Sequence, residues 1–166
     1  MYAEENFMPV LYLLCGLPGS GKTTEALRLE GERGALRLCP DEWIVALYGD
    51  GIHRDRAKLD AVRAPVEAVQ WEVAAKVLSR GVNVVLENGF WSRAERQDYR
   101  ARAEALGAQV ELIFLDVPRD ELWGRLQKRN AELPPGTFPV SESDFKEWVG
   151  LFEPPTADEL AHGQGE

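Results

Sequence analysis

The chain alternates short apolar runs with longer stretches in which apolar residues recur at helical spacing. The apolar runs are strand-sized and apolar at successive positions, which is typical of strands buried on both faces of a parallel sheet. They predict strands at residues 10–15, 35–39, 82–87 and 109–115. Strands separated by helices indicate an α/β fold with a parallel sheet of four or five strands and right-handed crossovers.

Helical periodicity, capping residues and glycine stops mark the helices between these strands. The region 52–80 carries an apolar stripe at helical spacing, but it contains Pro65, so we expect a break or a fresh helix start there. Ser92 lies three residues before Glu95, which is the spacing of a capping box at a helix start. The predicted helices span residues 22–33, 41–48, 52–80, 92–106, 118–132 and 141–151, and a polar tail follows.

Composition narrows the class of protein. A chain of 166 residues that is 45% apolar suits a single domain spanning residues 1–166 and excludes global disorder. Two cysteines cannot form a disulfide-stapled scaffold. No apolar run approaches the ~20 residues that span a bilayer, and the N-terminus is acidic, unlike a signal peptide. We therefore expect a cytoplasmic protein that does not interact with a membrane.

A glycine-rich segment follows the first predicted strand and matches the phosphate-binding pattern G-x-x-x-x-G-K-[ST]. A chance match in a chain of this length is expected on the order of 1% of the time. The glycines let backbone N–H groups converge on phosphate oxygens, and the following helix turns its positive end toward them. The motif consists of Gly16, Leu17, Pro18, Gly19, Ser20, Gly21, Lys22 and Thr23.

The last residues of this motif predict a nucleoside triphosphate and Mg²⁺ as ligands. We expect ATP, although the sequence does not distinguish ATP from GTP. Lys22 can reach the β- and γ-phosphates, and the Thr23 hydroxyl can bind Mg²⁺. Thr24 is a further candidate for phosphate contact. Glu87 ends a buried strand, where a lone carboxylate is costly unless it has a partner. We therefore favour a role for Glu87 in holding a Mg²⁺-bound water over a solvated strand end.

Asp41 follows the second predicted strand, at the sheet edge where α/β proteins bind their ligands. Its carboxylate is a candidate general base for an incoming hydroxyl. An aspartate after a proline is also well suited to cap a helix N-terminus, so both interpretations stay open. Trp43 and Arg63 are candidate groups for recognising an acceptor, because they fall near the same predicted edge.

Two pairs of arginines have the spacing of neighbours on one helical face. Arg125 and Arg129 are four residues apart and could stabilise charge on a phosphoryl group during its transfer. Arg93 and Arg96 form a second candidate pair. A solvated basic face is the alternative explanation for both pairs. There is no zinc-type spacing of histidine and cysteine.

The chain resembles the P-loop kinases of the group that contains zeta toxins, chloramphenicol phosphotransferase and the kinase domain of polynucleotide kinases. Within that group it is similar to bacterial AAA-type ATP-binding proteins. The resemblance spans nearly the whole sequence. It rests on residues 16–23, 41–43, 81–91, Arg93 with Arg96, Arg125 with Arg129 and Asn130, and residues 152–155.

The resemblance implies a P-loop NTPase fold of the nucleoside-kinase type with strand order 2-3-1-4. It implies that Asp41 is the general base and that Arg125 and Arg129 belong to a short helical lid at about residues 119–140. It places Arg93 and Arg96 near the acceptor or the transferring phosphate. Relatives often carry Asp where Glu87 stands in this chain.

Three functions are consistent with these features. The first is ATP-dependent phosphorylation of a small-molecule hydroxyl, the second is a polynucleotide 5′-hydroxyl kinase, and the third is a nucleotide-binding switch or ATPase that transfers nothing. The carboxylate of Asp41 favours transfer over switching. The segment 42–91 holds six basic and seven acidic residues, which makes nucleic acid the less favoured acceptor. The sequence does not distinguish a monomer from a dimer.

The net charge of −9 is unevenly distributed. Residues 1–92 carry 10 basic and 13 acidic groups, and residues 93–130 carry 8 and 7. Residues 131–166 carry 1 basic and 8 acidic groups. The sequence therefore predicts a nearly neutral kinase core with local arginines for phosphate, followed by an acidic C-terminal segment at residues 141–166.

Overall fold

A computed structural model describes residues 8–135 and 137–161. Within them, four strands form one sheet in which every pairing is parallel. The order is β2-β3-β1-β4, which confirms the predicted fold class and strand order. The strands are β1 (Val10–Cys15), β2 (Leu36–Leu38), β3 (Val84–Gly89) and β4 (Gln109–Phe114).

The helices and strands follow one another along the chain in the predicted order. They are α1 (Lys22–Arg33), α2 (Pro40–Tyr48), α3 (Arg56–Leu78), α4 (Arg93–Ala105), α5 (Arg119–Glu132), α6 (Glu142–Leu151) and α7 (Ala157–Ala161), with a 3₁₀ helix at Asp50–Arg54 between α2 and α3. None of the helices in the described part of the chain combines the length and hydrophobicity needed to cross a lipid bilayer.

The predicted break at Pro65 is wrong, because α3 continues through this residue. Proline removes one helical hydrogen bond, a cost that tertiary packing can offset. Leu59 and Val66, on either side of Pro65, are both buried in a cluster with Ile44 of α2 and Ile52 of the 3₁₀ helix. This packing holds both halves of α3 against the same neighbours.

The two faces of the central strand β1 pack against different helices. Leu11, Leu13 and Cys15 contribute to a large core with residues of α3 and α4. Tyr12 and Leu14 point to the other face and pack with Ala26 and Leu29 of α1. The helices therefore cover both faces of the sheet, and the carboxyl ends of its strands remain available for a site.

Two more elements pack around these strand ends. Leu122 and Leu126 of α5 are buried with Leu17 of the glycine-rich loop, and Phe145 of α6 joins the same cluster. This packing fixes α5 beside the loop that follows β1.

Helix α7 lies in the part of the chain expected to be only a polar tail.

Candidate active site

The loop between β1 and α1 has the backbone conformation that its glycines allow. Gly19 and Gly21 have φ angles of +84° and +98°, which side-chain-bearing residues rarely adopt. A Cβ atom on Gly19 would lie 3.3 Å from the Leu126 side chain, so α5 approaches this loop closely. The Gly16 amide donates a hydrogen bond of 3.0 Å to the Gly89 carbonyl at the end of β3. The loop is thereby fixed between two neighbouring strand ends.

Lys22, the first residue of α1, is held against this loop. Its Nζ donates to the carbonyl oxygens of Gly16 and Leu17 at 3.2 and 3.0 Å. Burial lowers the pKa of the Lys22 ammonium to about 8, although the Asp41 and Glu87 carboxylates act in the opposite direction. An anion bound here would stabilise the charged form of this lysine.

Thr23 and Glu87 meet where β3 passes α1. The Thr23 hydroxyl donates to Glu87 Oε2 at 2.9 Å, and Arg37 Nε donates to Glu87 Oε1 at 2.5 Å. Arg37 also pairs with Glu42. Glu87 is therefore a buried carboxylate with partners, not a solvated strand end.

The Thr23 hydroxyl and the Glu87 carboxylate are oxygen ligands suited to a Mg²⁺ ion that is bound together with nucleotide phosphates. No group of three or more histidine, cysteine or acidic side chains among the described residues could hold a metal by itself. Mg²⁺ usually takes only one or two protein oxygens and completes its shell with phosphate and water. Thr23 would supply a direct ligand and Glu87 would hold a metal-bound water.

Asp41 lies in the first turn of α2 and does not cap it. The helix begins at Pro40, and its N-cap residue is Cys39, without a side-chain cap hydrogen bond. Asp41 Oδ1 instead accepts a hydrogen bond of 2.5 Å from Arg63 Nη2 on α3. The capping interpretation is excluded, which leaves this carboxylate available for another role.

The arginines of α5 approach the glycine-rich loop from the other side. Arg125 donates to the Gly19 carbonyl at 3.3 Å and pairs with Glu121 at 2.5 Å. Arg129 Nε is buried without a hydrogen-bond partner in the described structure. Burial lowers the pKa of Arg129, and the Asp41 charge opposes this effect. A partly buried cation with an unused donor is suited to receive an anion.

These groups line one cavity of about 700 Å³. It brings together the loop, Lys22, Thr23, Thr24, Asp41, Arg63, Glu87, Arg125 and Arg129, together with Glu67, Glu95 and the aromatic residues Trp91, Phe138 and Trp148. The volume lies within the range typical of sites for nucleotide-sized and drug-sized ligands. The cavity has a cationic end at the loop and a carboxylate-rich end beside α3.

Three of the sequence-predicted acceptor residues do not line this cavity. Arg96 is buried, and its Nε and Nη2 donate to Glu159 of α7 at 2.8 and 3.0 Å. Arg93 donates to Thr156 and Asp158 at 2.9 and 2.7 Å. Trp43 packs against the hydrophobic core. The structure thus places the two arginines beside the C-terminal segment.

Comparison with known proteins gives the family. A family model described as an AAA domain (AAA_33) matches residues 11–155. The chain belongs to this AAA domain family. No curated protein matches it significantly.

Solved structures with the same fold include several kinases. A candidate kinase from Chloroflexus aurantiacus is 21% identical, with a TM-score of 0.72 over 90% of this chain and 83% of its own. A gluconokinase from Sinorhizobium meliloti is 18% identical, with a TM-score of 0.61 over 93% of this chain and 79% of its own. These matches confirm the resemblance to P-loop kinases at the level of the fold.

A component of the Pnkp1/Rnl/Hen1 RNA repair complex is 26% identical, with a TM-score of 0.66. The match covers 90% of this chain but only 45% of that protein. The AAA domain protein therefore spans less than half the length of this relative.

Arg37 and Glu95 are among the residues around the site of this AAA domain protein that the sequence does not single out. Arg37 lies between Leu36 and Leu38 on β2, and a charge inside an apolar strand was the available signal. Glu95 was noted only for its capping-box spacing, and Ser92 does cap α4. The sequence carried no signal that Glu95 also faces the cavity, because its neighbours there come from other elements.

Proposed function

We propose that this AAA domain protein is a kinase that moves the γ-phosphate of ATP to a hydroxyl of a small-molecule acceptor. The supporting observation is that Asp41 shares one cavity with the phosphate-binding loop, Lys22 and the two α5 arginines. A switch or ATPase does not need a carboxylate beside the acceptor end of the cavity. A kinase needs one close to where an acceptor hydroxyl would meet the γ-phosphate.

The proposed reaction is an in-line displacement at the γ-phosphorus. Asp41 accepts the proton of the acceptor hydroxyl, the acceptor oxygen forms a bond to phosphorus, and the bond to the β,γ-bridging oxygen breaks to release ADP. Arg63 holds Asp41 Oδ1, while Oδ2 has no hydrogen bond among the described residues and is free to take the proton.

The other residues bind and stabilise the triphosphate. Backbone N–H groups of the loop and Lys22 hold the phosphates, and Arg125 and Arg129 stabilise negative charge as the phosphoryl group moves. Thr23 and Glu87 would hold Mg²⁺, which neutralises phosphate charge when bound. We assign these roles within a single kinase domain over residues 1–166, with a short lid at about residues 119–140.

A cytoplasmic location is part of the same proposal. Cys15 and Cys39 are both free and buried, which suits a reducing compartment. ATP is also the co-substrate that such a compartment supplies.

A polynucleotide 5′-hydroxyl kinase is the second candidate, and the RNA repair relative favours it. The purified protein should be incubated with γ-labelled ATP, Mg²⁺ and a panel of neutral, cationic and anionic hydroxyl compounds that includes a 5′-hydroxyl oligonucleotide. We expect label on a small molecule. Label on the oligonucleotide alone would favour the second candidate, and release of phosphate to water alone would contradict both kinase assignments.

A further inference from the structure

The acceptor end of the cavity contains more carboxylates than available cations. Asp41, Glu67 and Glu95 line this end, and Arg63 is the guanidinium that lies among them. Arg63 Nη2 is 2.5 Å from Asp41, and its Nη1 is 3.7 Å from Glu67. The single charge of Arg63 is therefore already shared between two carboxylates.

The other cation on this side of the cavity is also neutralised. Arg56 Nη1 lies 2.8 Å from Asp144, and its Nε lies 3.0 Å from Asp60. Its guanidinium is 5.4 Å from the centre of the Trp148 ring. The charge of Arg56 is thus neutralised by acidic partners, and its guanidinium contacts an aromatic ring. It would attract an anionic acceptor only weakly.

The cations around Glu67 and Glu95 do not fully neutralise these two carboxylates. Glu95 forms no ion pair within the described parts of the chain. The backbone N–H groups of Trp91 and Ser92 and the charges of Arg96 and Arg63 only partly offset the effect of burial on its pKa. Burial raises the pKa of Glu95, and it raises the pKa of Glu67 to about 7, with the nearby carboxylates adding to the effect on Glu67. Partly buried carboxylates in this state are stabilised by a cation that enters the cavity.

The aromatic lining of the cavity favours the same type of ligand. Trp91, Trp148 and Phe138 line the cavity with aromatic surface. Aromatic faces attract ammonium groups and cover the carbon skeleton of a small molecule. A polynucleotide or a sugar acid would bring negative charge against these acidic groups, of which Glu67 is only partly ionised near neutral pH, and this is unfavourable.

We propose that the acceptor carries an ionised amine beside its reacting hydroxyl, and that Glu67 and Glu95 bind this amine. This inference rests on the proposed kinase function and names the class of its acceptor. The amine lies on the α3 and α4 side of the cavity, while the hydroxyl reaches Asp41. The predicted acceptor is therefore a compact amino alcohol or amino sugar.

The test uses amino alcohols and amino sugars, each paired with its N-acetyl derivative, which keeps the hydroxyls and removes the charge. Gluconate and a 5′-hydroxyl dinucleotide complete the panel. With the full chain, ATP and Mg²⁺, we expect kcat/KM for the best amine to exceed that of its N-acetyl partner by about tenfold or more. A best substrate that is neutral or anionic overturns the inference and leaves the kinase function standing.

Two variants and a binding measurement distinguish the proposed amine site from the proposed kinase function. E67Q combined with E95Q should remove most of the preference for the amine, whereas E72Q, an exposed charge change on the same helix, should keep it. Calorimetry without ATP should show saturable binding of the amine probes. Amine binding without any phosphate transfer would refute the kinase function alone, and failure of every amine probe to bind would refute the inference.

Discussion

At the scale of single residues, the burial of Lys22 gives a testable link between proton uptake and nucleotide binding. Its pKa of about 8 means that much of the free protein carries a neutral amine at pH 8.5. A bound triphosphate favours the charged form, so binding should take up a proton. The phosphates of ATP are fully ionised at this pH and do not contribute.

The uptake can be measured by calorimetry at pH 8.5 in buffers of different ionisation enthalpy. We expect a clear fraction of one proton for the native protein and almost none for K22R, because arginine stays charged throughout. Binding heats for the native protein that do not depend on the buffer would contradict the role of Lys22.

The raised pKa of Glu67 predicts an unusual dependence of the free energy of unfolding on pH. Its pKa is raised from 4.5 to about 7 in the folded protein, so the folded state holds this proton more tightly than the unfolded state does. Stability should therefore fall as the pH rises through this interval, and the cost is fully present above it.

Removing this charge should stabilise the protein at high pH. E67Q should raise the free energy of unfolding on the order of 1–3 kcal/mol at pH 8 and much less at pH 5, as measured by urea unfolding. E72Q is the matched control and should show no such difference between the two pH values. Equal effects of E67Q at both pH values would show that the pKa of Glu67 is not raised.

At the scale of secondary-structure elements, the acidic C-terminal segment is bound by the arginines of α4. Glu159 of α7 pairs with Arg96, which also donates to the carbonyls of Phe90 and Glu153. Phe90 is fully buried and has a φ of +49°, so Arg96 helps to hold the strained turn after β3. The function of these groups in our account is structural.

Breaking this ion pair should reduce stability without changing acceptor recognition. The Arg96 guanidinium lowers the pKa of Glu159 to about 2, so the stabilisation is present above the unfolded value of 4.5 and is lost as the pH falls toward 2. E159Q should lower the free energy of unfolding by about 2–4 kcal/mol at pH 7, with a smaller effect at pH 3. The acceptor KM should stay unchanged at a permissive temperature. A rise in KM without loss of stability would instead place this pair at the acceptor.

The elements also show what local sequence could predict. Strand positions, helix positions and the glycine-rich loop followed from short-range patterns, because apolar runs and glycine turns depend on neighbouring residues. The strand order followed from the resemblance to P-loop kinases. The continuity of α3 through Pro65 did not, since it depends on packing against Ile44 and Ile52. The acceptor side was the least predictable part. Arg96 and Glu95 lie on one helix, yet only the fold determines that one meets α7 and the other meets the cavity.

At the scale of the whole molecule, the cavity is assembled from segments far apart in the sequence. The loop after β1 provides the phosphate site, α2 provides Asp41, α3 provides Arg63 and Glu67, and α5 provides two arginines. The net charge of −9 does not show this arrangement, in which Lys22, Arg125 and Arg129 line the loop end and Asp41, Glu67 and Glu95 outnumber Arg63 beside α3. This distribution of charge supports the ATP site that we propose at one end and the amine-bearing acceptor that we propose at the other.

We propose that Asp41 acts in phosphate transfer and does not serve nucleotide binding. The measurement that tests it most directly compares D41N with the native protein in both activities, using the best acceptor from the panel. The exposed D50N variant controls for the loss of one acidic charge. We predict that D41N lowers kcat by about 10²–10⁴-fold while its Kd for ATP stays within about threefold of the native value. Transfer by D41N at the native rate would contradict the account.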